Sequence, residues 1–179
     1  MTTPRREQLL HVAAGLMAER GYHGVSINDL GAAAGVSGPA LYRHFPSKQA
    51  VLGEMLVGIS QRLLDGGRAR ADGGLDALLA FHSEFALTEP ELIRVQDRDL
   101  ASTTAEDRTR VRQLQRAYVE LWVTLLRTER PDLDETVARA RVQAVFGLLN
   151  STPHAGRGLV RPQMAALLHK LGSVALLAP

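Results

Sequence analysis

The sequence predicts an all-α fold of about nine helices. Apolar residues recur every three or four positions along most of the 179 residues, which is the spacing of a helix with one buried face. No segment shows the strict apolar-polar alternation of a half-buried strand. Glycine and proline divide the chain into segments of helical length. A chain of this size buries a core of its own.

The composition is that of a soluble, cysteine-free protein. It is 45% hydrophobic and 22% charged and contains no cysteine, which excludes disulfides and thiolate metal sites. No stretch approaches the roughly 18 consecutive apolar residues of a membrane-spanning helix. We therefore expect a cytoplasmic protein. The net charge is +2, and residues 1–50 carry that excess, with five Lys and Arg against three Asp and Glu.

Three helices are predicted in the first 46 residues. The first covers about 4–20 and ends at Gly21. The second begins after Ser26, whose hydroxyl and the carboxylate three residues later can each bond a free backbone N–H. The third covers about 38–44, because Ser37 can cap it and Pro46 ends it.

The boundaries of the remaining helices are predicted from the same kinds of capping and helix-ending residues. The fourth begins after Ser47 and is predicted to run to Gly66-Gly67. Further helices are predicted near 74–88, 90–100, 105–129, 133–150 and 162–177.

Two short helices separated by "AGVS" have the dimensions of a helix-turn-helix at about 27–45. Leu30, Ala34, Val36 and Leu41 would pack inward, which leaves the opposite face for DNA. The residues expected to contact DNA are Ser26, Ser37, Gly38, Pro39, Ala40, Tyr42, Arg43, His44 and Lys48. Hydroxyls, a phenol, an imidazole and an ammonium can bind phosphate, whereas the small side chains offer few hydrogen bonds to bases.

The segment "RGYHGVSINDLGAAAGVSGPALYRHFPSKQAVL", residues 20–52, resembles the DNA-binding motif of the TetR family of bacterial transcriptional regulators. The resemblance implies an all-helical homodimer, usually a repressor, whose C-terminal helices bind a small molecule and whose last two helices pair across a two-fold axis. It divides the chain into a DNA-binding domain at 1–48 and a ligand-binding and dimerisation domain at 49–179.

The family resemblance also assigns individual residues. Its DNA-contacting positions correspond here to Ser26, Ser37, Pro39, Tyr42, His44 and Lys48. Gly38 departs from the pattern, because that position often carries a polar side chain that reads a base. Other interpretations remain open: Tyr42 as a core aromatic, His44 as a cation at a helix end, and Lys48 as a solvated surface residue.

A candidate effector site lies in the C-terminal part of the chain. An apolar pocket with a few polar groups is expected at His82, Phe85, Arg94, Gln96, Arg98, Tyr118 and Trp122. The alternatives are a hydrogen-bonded core histidine at 82, local surface ion pairs at 94 and 98, and ordinary packing at 118 and 122. An arginine-rich region from Arg94 to Arg116 beside apolar helices is compatible with an acyl thioester as effector.

The last two predicted helices carry apolar stripes that could pair in a dimer or pack within the monomer. The stripes are Val142, Val145, Phe146 and Leu149, and Met164, Leu167, Leu168, Leu171, Val174 and Ala175. Two such hairpins facing each other would form a four-helix bundle. Gly147 would permit a close approach.

No catalytic, metal-binding or cofactor motif is present, so we predict a protein that is not an enzyme and needs no cofactor or metal. The predicted function is a regulator that binds an operator in double-stranded DNA and is released by a small hydrophobic effector. One alternative is a ligand-independent architectural DNA-binding protein. Another is a helical enzyme or carrier with a vestigial helix-turn-helix.

Overall fold

The computed structural model describes residues 4–154 and 158–179, and all regular secondary structure in this part of the chain is helical. The predicted fold class is confirmed. The helices are α1 (Pro4–Arg20), α2 (Ile27–Ala33), α3 (Gly38–Tyr42), α4 (Lys48–Arg68), α5 (Gly74–Thr88), α6 (Pro90–Asp99), α7 (Ala105–Glu129), α8 (Glu135–Leu149) and α9 (Arg161–Leu177). Three-residue 3-10 turns occur at Ala71–Gly73, Leu100–Ser102 and Thr152–His154. Of the linker between α8 and α9, residues 155–157 lie outside the described residues.

The glycine predicted to end α1 does so. Gly21 follows α1 with a φ of 79°, a left-handed conformation that glycine adopts without strain. Its N–H donates to the Met17 carbonyl over 2.8 Å, which satisfies one of the last carbonyls of α1. On the inner face of α1, Leu9, Ala13 and Met17 are buried. These residues form the core face of α1.

The chain forms two compact units. The first consists of the residues up to Ile59 together with Glu91–Arg112, and the second consists of Ser60–Pro90 together with the residues from Gln113 onward. Helices α4 and α7 each contribute residues to both units. The first unit thus extends beyond residue 48, the predicted end of the DNA-binding domain, and includes α6.

In the second unit, α5, α8 and α9 pack together. The predicted apolar stripe of α8 is core, because Val142, Val145 and Leu149 are fully buried. The predicted stripe of α9 is mostly exposed. Of its residues Leu168 is buried, whereas Leu167, Leu171 and Val174 are exposed. Most of the α9 stripe therefore remains available to a partner.

Helix α4 continues through Gly66 and Gly67 and ends at Arg68, one residue past the predicted end. Both glycines have a packing role. A Cβ at position 66 would overlap the Phe81 ring, and a Cβ at Gly67 would lie 2.6 Å from Cε2 of Tyr118. These glycines allow aromatic rings to approach the helix backbone, and they are not helix terminators.

Gly67→Ala is therefore expected to destabilise the protein by about 1–3 kcal/mol, because the added methyl group would overpack against the Tyr118 ring. Gly58→Ala, in the same helix, is the matched control, since a Cβ at position 58 would have no neighbouring atom within 4 Å. That control should stabilise by about 0.5–1 kcal/mol through helix propensity. Urea unfolding of both variants measures the difference, and equal stabilisation by both would contradict the packing role.

Candidate nucleic-acid interface

Helix α2 begins with a complete capping box. The Asp29 N–H donates to Ser26 Oγ over 3.1 Å, and Asp29 Oδ2 accepts the Ser26 N–H at 2.8 Å and the Ser26 hydroxyl at 2.6 Å. These hydrogen bonds hold the pKa of the Asp29 carboxyl below its ordinary value. Both donors of Ser26, a predicted DNA contact, are thus engaged by the cap of its own helix.

Helix α3 is short and is positioned by α2. Ser37 Oγ accepts the Ala40 N–H at 3.3 Å, and a proline occupies the first turn. Gly31, in α2, lies against the start of α3, since a Cβ there would be 2.9 Å from the Val36 carbonyl oxygen and 3.2 Å from the Gly38 nitrogen. This glycine is not among the site residues predicted from the sequence. The sequence signal for this close contact is a glycine within an otherwise helical pattern.

The two faces of α3 and the turn after it differ sharply. Leu41 and Phe45 are buried, with exposed fractions of 2% and 0%. On the opposite face, Pro39, Tyr42 and Arg43 are exposed, and the Tyr42 side chain is 53% accessible. The remaining predicted residues of this face are half-buried: Gly38, Ala40 and His44. The structure therefore places Pro39, Tyr42 and Arg43 on the accessible side of α3 and of the turn after it, with Gly38, Ala40 and His44 partly accessible beside them.

Arg6 holds the end of α3 from the opposite side. Its Nε donates to Glu54 Oε1 over 2.6 Å, and its Nη1 donates to the His44 carbonyl oxygen. The guanidinium also lies over the Phe45 ring, 4.3 Å from its centroid. The hydrogen bond to Glu54 raises the pKa of Arg6. Arg6 is a second residue absent from the predicted set, because its partners are 38 to 48 residues away.

Lys48 contacts the loop between α1 and α2. Its ammonium donates to the carbonyl oxygens of Tyr22 at 2.7 Å and Val25 at 2.6 Å, and it lies 4.2 Å from the centroid of the Tyr22 ring. On the other side of the same loop, buried Asp99 accepts the Tyr22 N–H at 3.2 Å. The lysine predicted to contact phosphate thus has a structural role in holding this loop.

The predicted effector residues fall into two groups. Arg94, Gln96 and Arg98 lie on α6 in the first unit, whereas the other four lie in the second. Arg98 donates to the Met17 and Ala18 carbonyl oxygens at the end of α1, and to Asp99. Its guanidinium therefore satisfies carbonyl oxygens at the end of α1 that have no partner within the helix, which is a structural role.

In the second unit, the His82 imidazole and four aromatic rings around it form a five-ring cluster. The rings of Phe85, Tyr118, Trp122 and Phe146 have centroids 5.0–6.1 Å from that of the imidazole. The rings of His82, Tyr118 and Phe146 are nearly parallel to one another, with interplanar angles of 10–14° and centroids 5.0–5.8 Å apart. Phe146 was predicted only as part of an apolar stripe. The structure places it in the same cluster as the predicted effector residues.

Two hydrogen bonds orient the imidazole. Nε2 lies 3.0 Å from Asn150 Oδ1, and Nδ1 lies 3.3 Å from the Tyr118 hydroxyl. Because Oδ1 can only accept, Nε2 carries the proton, and Nδ1 accepts from the phenol. Burial lowers the pKa of His82 to about 4 and raises that of Tyr118. Both side chains are therefore neutral at pH 7.

The Trp122 indole packs edge-on against the Tyr118 ring. The buried Ser83 hydroxyl, next to His82 in the sequence, has no hydrogen-bond partner within the described residues. In the same residues no group of three or more His, Cys, Asp or Glu side chains could hold a metal ion. No helix there is long and apolar enough to span a bilayer.

Two family profiles match the chain. "Bacterial regulatory proteins, tetR family" matches residues 9–55, and "Tetracyclin repressor-like, C-terminal domain" matches residues 70–154. Together they cover the helix-turn-helix and most of the second unit.

Similar proteins include the transcriptional repressor KstR2 of Rhodococcus jostii, 31% identical over 129 residues. The match covers 68% of this chain and 63% of that protein, so the chain spans less than two thirds of this relative's length. The structure of a TetR-family regulator from Bordetella parapertussis superposes with a TM-score of 0.87 at 24% identity, over 98% of this chain and 95% of that one. AibR in complex with isovaleryl coenzyme A and operator DNA gives 0.76 at 18% identity, over 93% and 97%.

The buried imidazole predicts a specific pH dependence. The unfolded chain takes up a proton on His82 near pH 6.5, but the folded chain does so only near pH 4. The free energy of unfolding should therefore fall by about 3 kcal/mol from this group as the pH drops through that interval. His82→Phe should lack this component, measured as the difference between the urea unfolding curves of the two proteins at pH 7 and pH 4. His11→Gln, at an exposed position, should keep it. Identical pH profiles for wild type and His82→Phe would contradict a neutral buried imidazole.

Proposed function

The chain belongs to the TetR family of bacterial regulatory proteins, and on this premise we propose that it is a DNA-binding transcriptional repressor released from its operator by a small hydrophobic effector. The observation that carries the proposal is the exposed surface that Pro39, Tyr42 and Arg43 form on α3 and the turn after it, on a helix capped at its start and held at its end. A regulator of this kind acts on chromosomal DNA, in the bacterial cytoplasm.

The α3 face has the size and chemistry for the major groove. A groove about 12 Å wide admits a helix, and α3 presents its small residues there, so its backbone can approach the base edges closely. The Tyr42 hydroxyl and the Arg43 guanidinium are exposed beside them and can donate to phosphate oxygens. Ser26, Ser37, His44 and Lys48 belong to the same proposed interface. Of these, Ser26 and Lys48 also hold the surrounding structure in place.

A second copy of the chain is the partner that fits the exposed face of α9. The exposed apolar residues of this helix lie on one face, at a spacing of three or four: Leu167, Leu171, Val174 and Leu177. On α8, the exposed positions Ala140, Ala144 and Gly147 are small and permit a close helix approach. Pairing of α8 and α9 with their symmetry mates would form a four-helix bundle. A dimer has two α3 helices, one for each half-site of a two-fold symmetric operator.

The five-ring cluster supports a hydrophobic effector. Its side chains are aromatic and its imidazole is neutral, so it favours an apolar group of a ligand. The structurally similar regulator AibR forms a complex with isovaleryl coenzyme A, which is an acyl thioester. We therefore propose an acyl thioester as the first effector class to test. Effector binding lowers operator occupancy when the effector prefers a conformation that binds DNA less well.

The test is footprinting of the purified full chain on genomic fragments of the organism that encodes it. We expect at least one protected operator with two-fold symmetry. Isovaleryl coenzyme A or a longer acyl coenzyme A should lower its affinity by about 5- to 150-fold, the usual range of allosteric coupling. Free coenzyme A is the control. An equal affinity for operator and random duplex would favour the architectural alternative, and no protected site would contradict a regulator.

The dimer is tested by Val174→Glu, since this side chain is 62% exposed in the monomer and a carboxylate would be buried in the proposed interface. Wild type should sediment as a dimer at micromolar concentration, and the variant as a folded monomer. Gln113→Glu, an exposed change on α7, should remain a dimer. A wild-type protein that sediments as a monomer over the same range would refute the assignment of α9.

A further inference from the structure

Gly38, the first residue of α3, is covered by a side chain from the preceding helix. A Cβ at this position would overlap Oδ1 of Asn28, and it would lie 3.5 Å from Asn28 Cγ. Gly38 does not have a positive φ, so its backbone conformation does not require glycine. The missing side chain instead leaves room for the Asn28 amide at the start of α3.

The Asn28 amide is free to bind. It is exposed, and it forms no hydrogen bond with any described residue. The start of α2 does not need it, because Ser26 and Asp29 already cap that helix with each other. An amide left without a partner at the surface, between two helices of a helix-turn-helix, has donors and an acceptor available for a ligand.

Nucleic-acid bases need the chemistry that this amide provides. From Gly38 to Tyr42, α3 carries no side-chain amide, and its only polar side chain is the Tyr42 phenol. An asparagine amide can donate its N–H to N7 of adenine while its oxygen accepts an N–H from the N6 amino group. This pair of hydrogen bonds specifies an A·T base pair in the major groove. Asn28 supplies this group from α2 at the point where residue 38 would otherwise place it.

We propose that Asn28 is a specificity-determining residue that reads one base pair in each half-site, in the place of a side chain at position 38. The proposal rests on the DNA-binding function proposed above. It assigns the base readout to two helices, so that Gly38 is required for the Asn28 side chain to lie over the start of α3.

The experiment is selection of binding sites from a randomised duplex library, followed by affinity measurements on every single-base change of the selected site. Wild type should prefer one base pair, expected to be A·T, by about 5- to 150-fold at one position of each half-site. Asn28→Ala should reduce that preference to within about twofold, leaving the other positions and the thermal midpoint unchanged. Gln8→Ala, which removes an exposed amide from α1, is the matched control and should keep the wild-type motif.

The Gly38→Ala variant provides an independent test of the role of Asn28. Its methyl group would displace the Asn28 side chain, so it should weaken the preference at the same base position. In the Asn28→Ala background it should add no further loss there, because the two changes act on one contact.

The outcomes distinguish the proposed role of Asn28 from the proposed DNA-binding function. A wild-type motif that Asn28→Ala leaves unchanged overturns the role of Asn28 while the DNA-binding function stands. A uniform loss of affinity for all sequences, with a lower thermal midpoint, also overturns it, since Asn28 would then only support the fold. If wild type selects no motif, the proposed function fails as well.

Discussion

The first unit depends on cations that satisfy the carbonyl oxygens at helix ends. Arg98 donates to the end of α1, Lys48 to the loop that follows it, Arg5 to the Ala34 carbonyl after α2, and Arg6 to the carbonyl after α3. The last carbonyls of a helix have no partner within it and carry the negative end of the helix dipole. Helices of five and seven residues are unstable alone, so these contacts and the buried Leu41 and Phe45 hold α2 and α3 in place.

The second unit is organised differently, around aromatic rings and neutral polar groups. His82 is fully enclosed and uncharged, and its two ring nitrogens are occupied by Tyr118 and Asn150. Stacked and edge-on rings around it bury a large apolar surface without any ion pair in the cluster. Such surroundings favour an uncharged or hydrocarbon group of a ligand over a charged one, because a buried charge would need a partner that the five rings do not contain. The phosphates of an acyl thioester would therefore have to lie away from the rings.

Local signals in the sequence predict the helices well, and contacts between distant residues explain what they miss. The Ser26 cap, the Ser37 cap and the glycine after α1 each act within about four residues, so helix starts and ends follow from neighbouring positions. In the sequence alone, the glycines at 66 and 67 cannot be distinguished from helix terminators. Their packing role is seen only from the positions of the Phe81 and Tyr118 rings. Arg98 and Lys48 likewise appear free in the sequence. The carbonyl acceptors of Arg98 lie 80 and 81 residues away, and those of Lys48 lie 23 and 26 residues away, separations that no local pattern encodes.

The same internal use of cations limits how one protomer can bind DNA. The excess of basic residues lies in the first fifty, yet Arg5, Arg6 and Lys48 donate to backbone carbonyls there, and Arg6 also pairs with Glu54. Arg43 is the basic residue of the proposed interface that lies exposed on the α3 side. Each neutralised phosphate contributes to affinity through counterion release, so a protomer with few free cations binds DNA weakly by charge alone. Tight binding then requires two protomers on one operator and hydrogen bonds to base edges. A DNA-binding surface with so little charge would in this way make discrimination between sequences depend on symmetry and on the amide and phenol groups around α3.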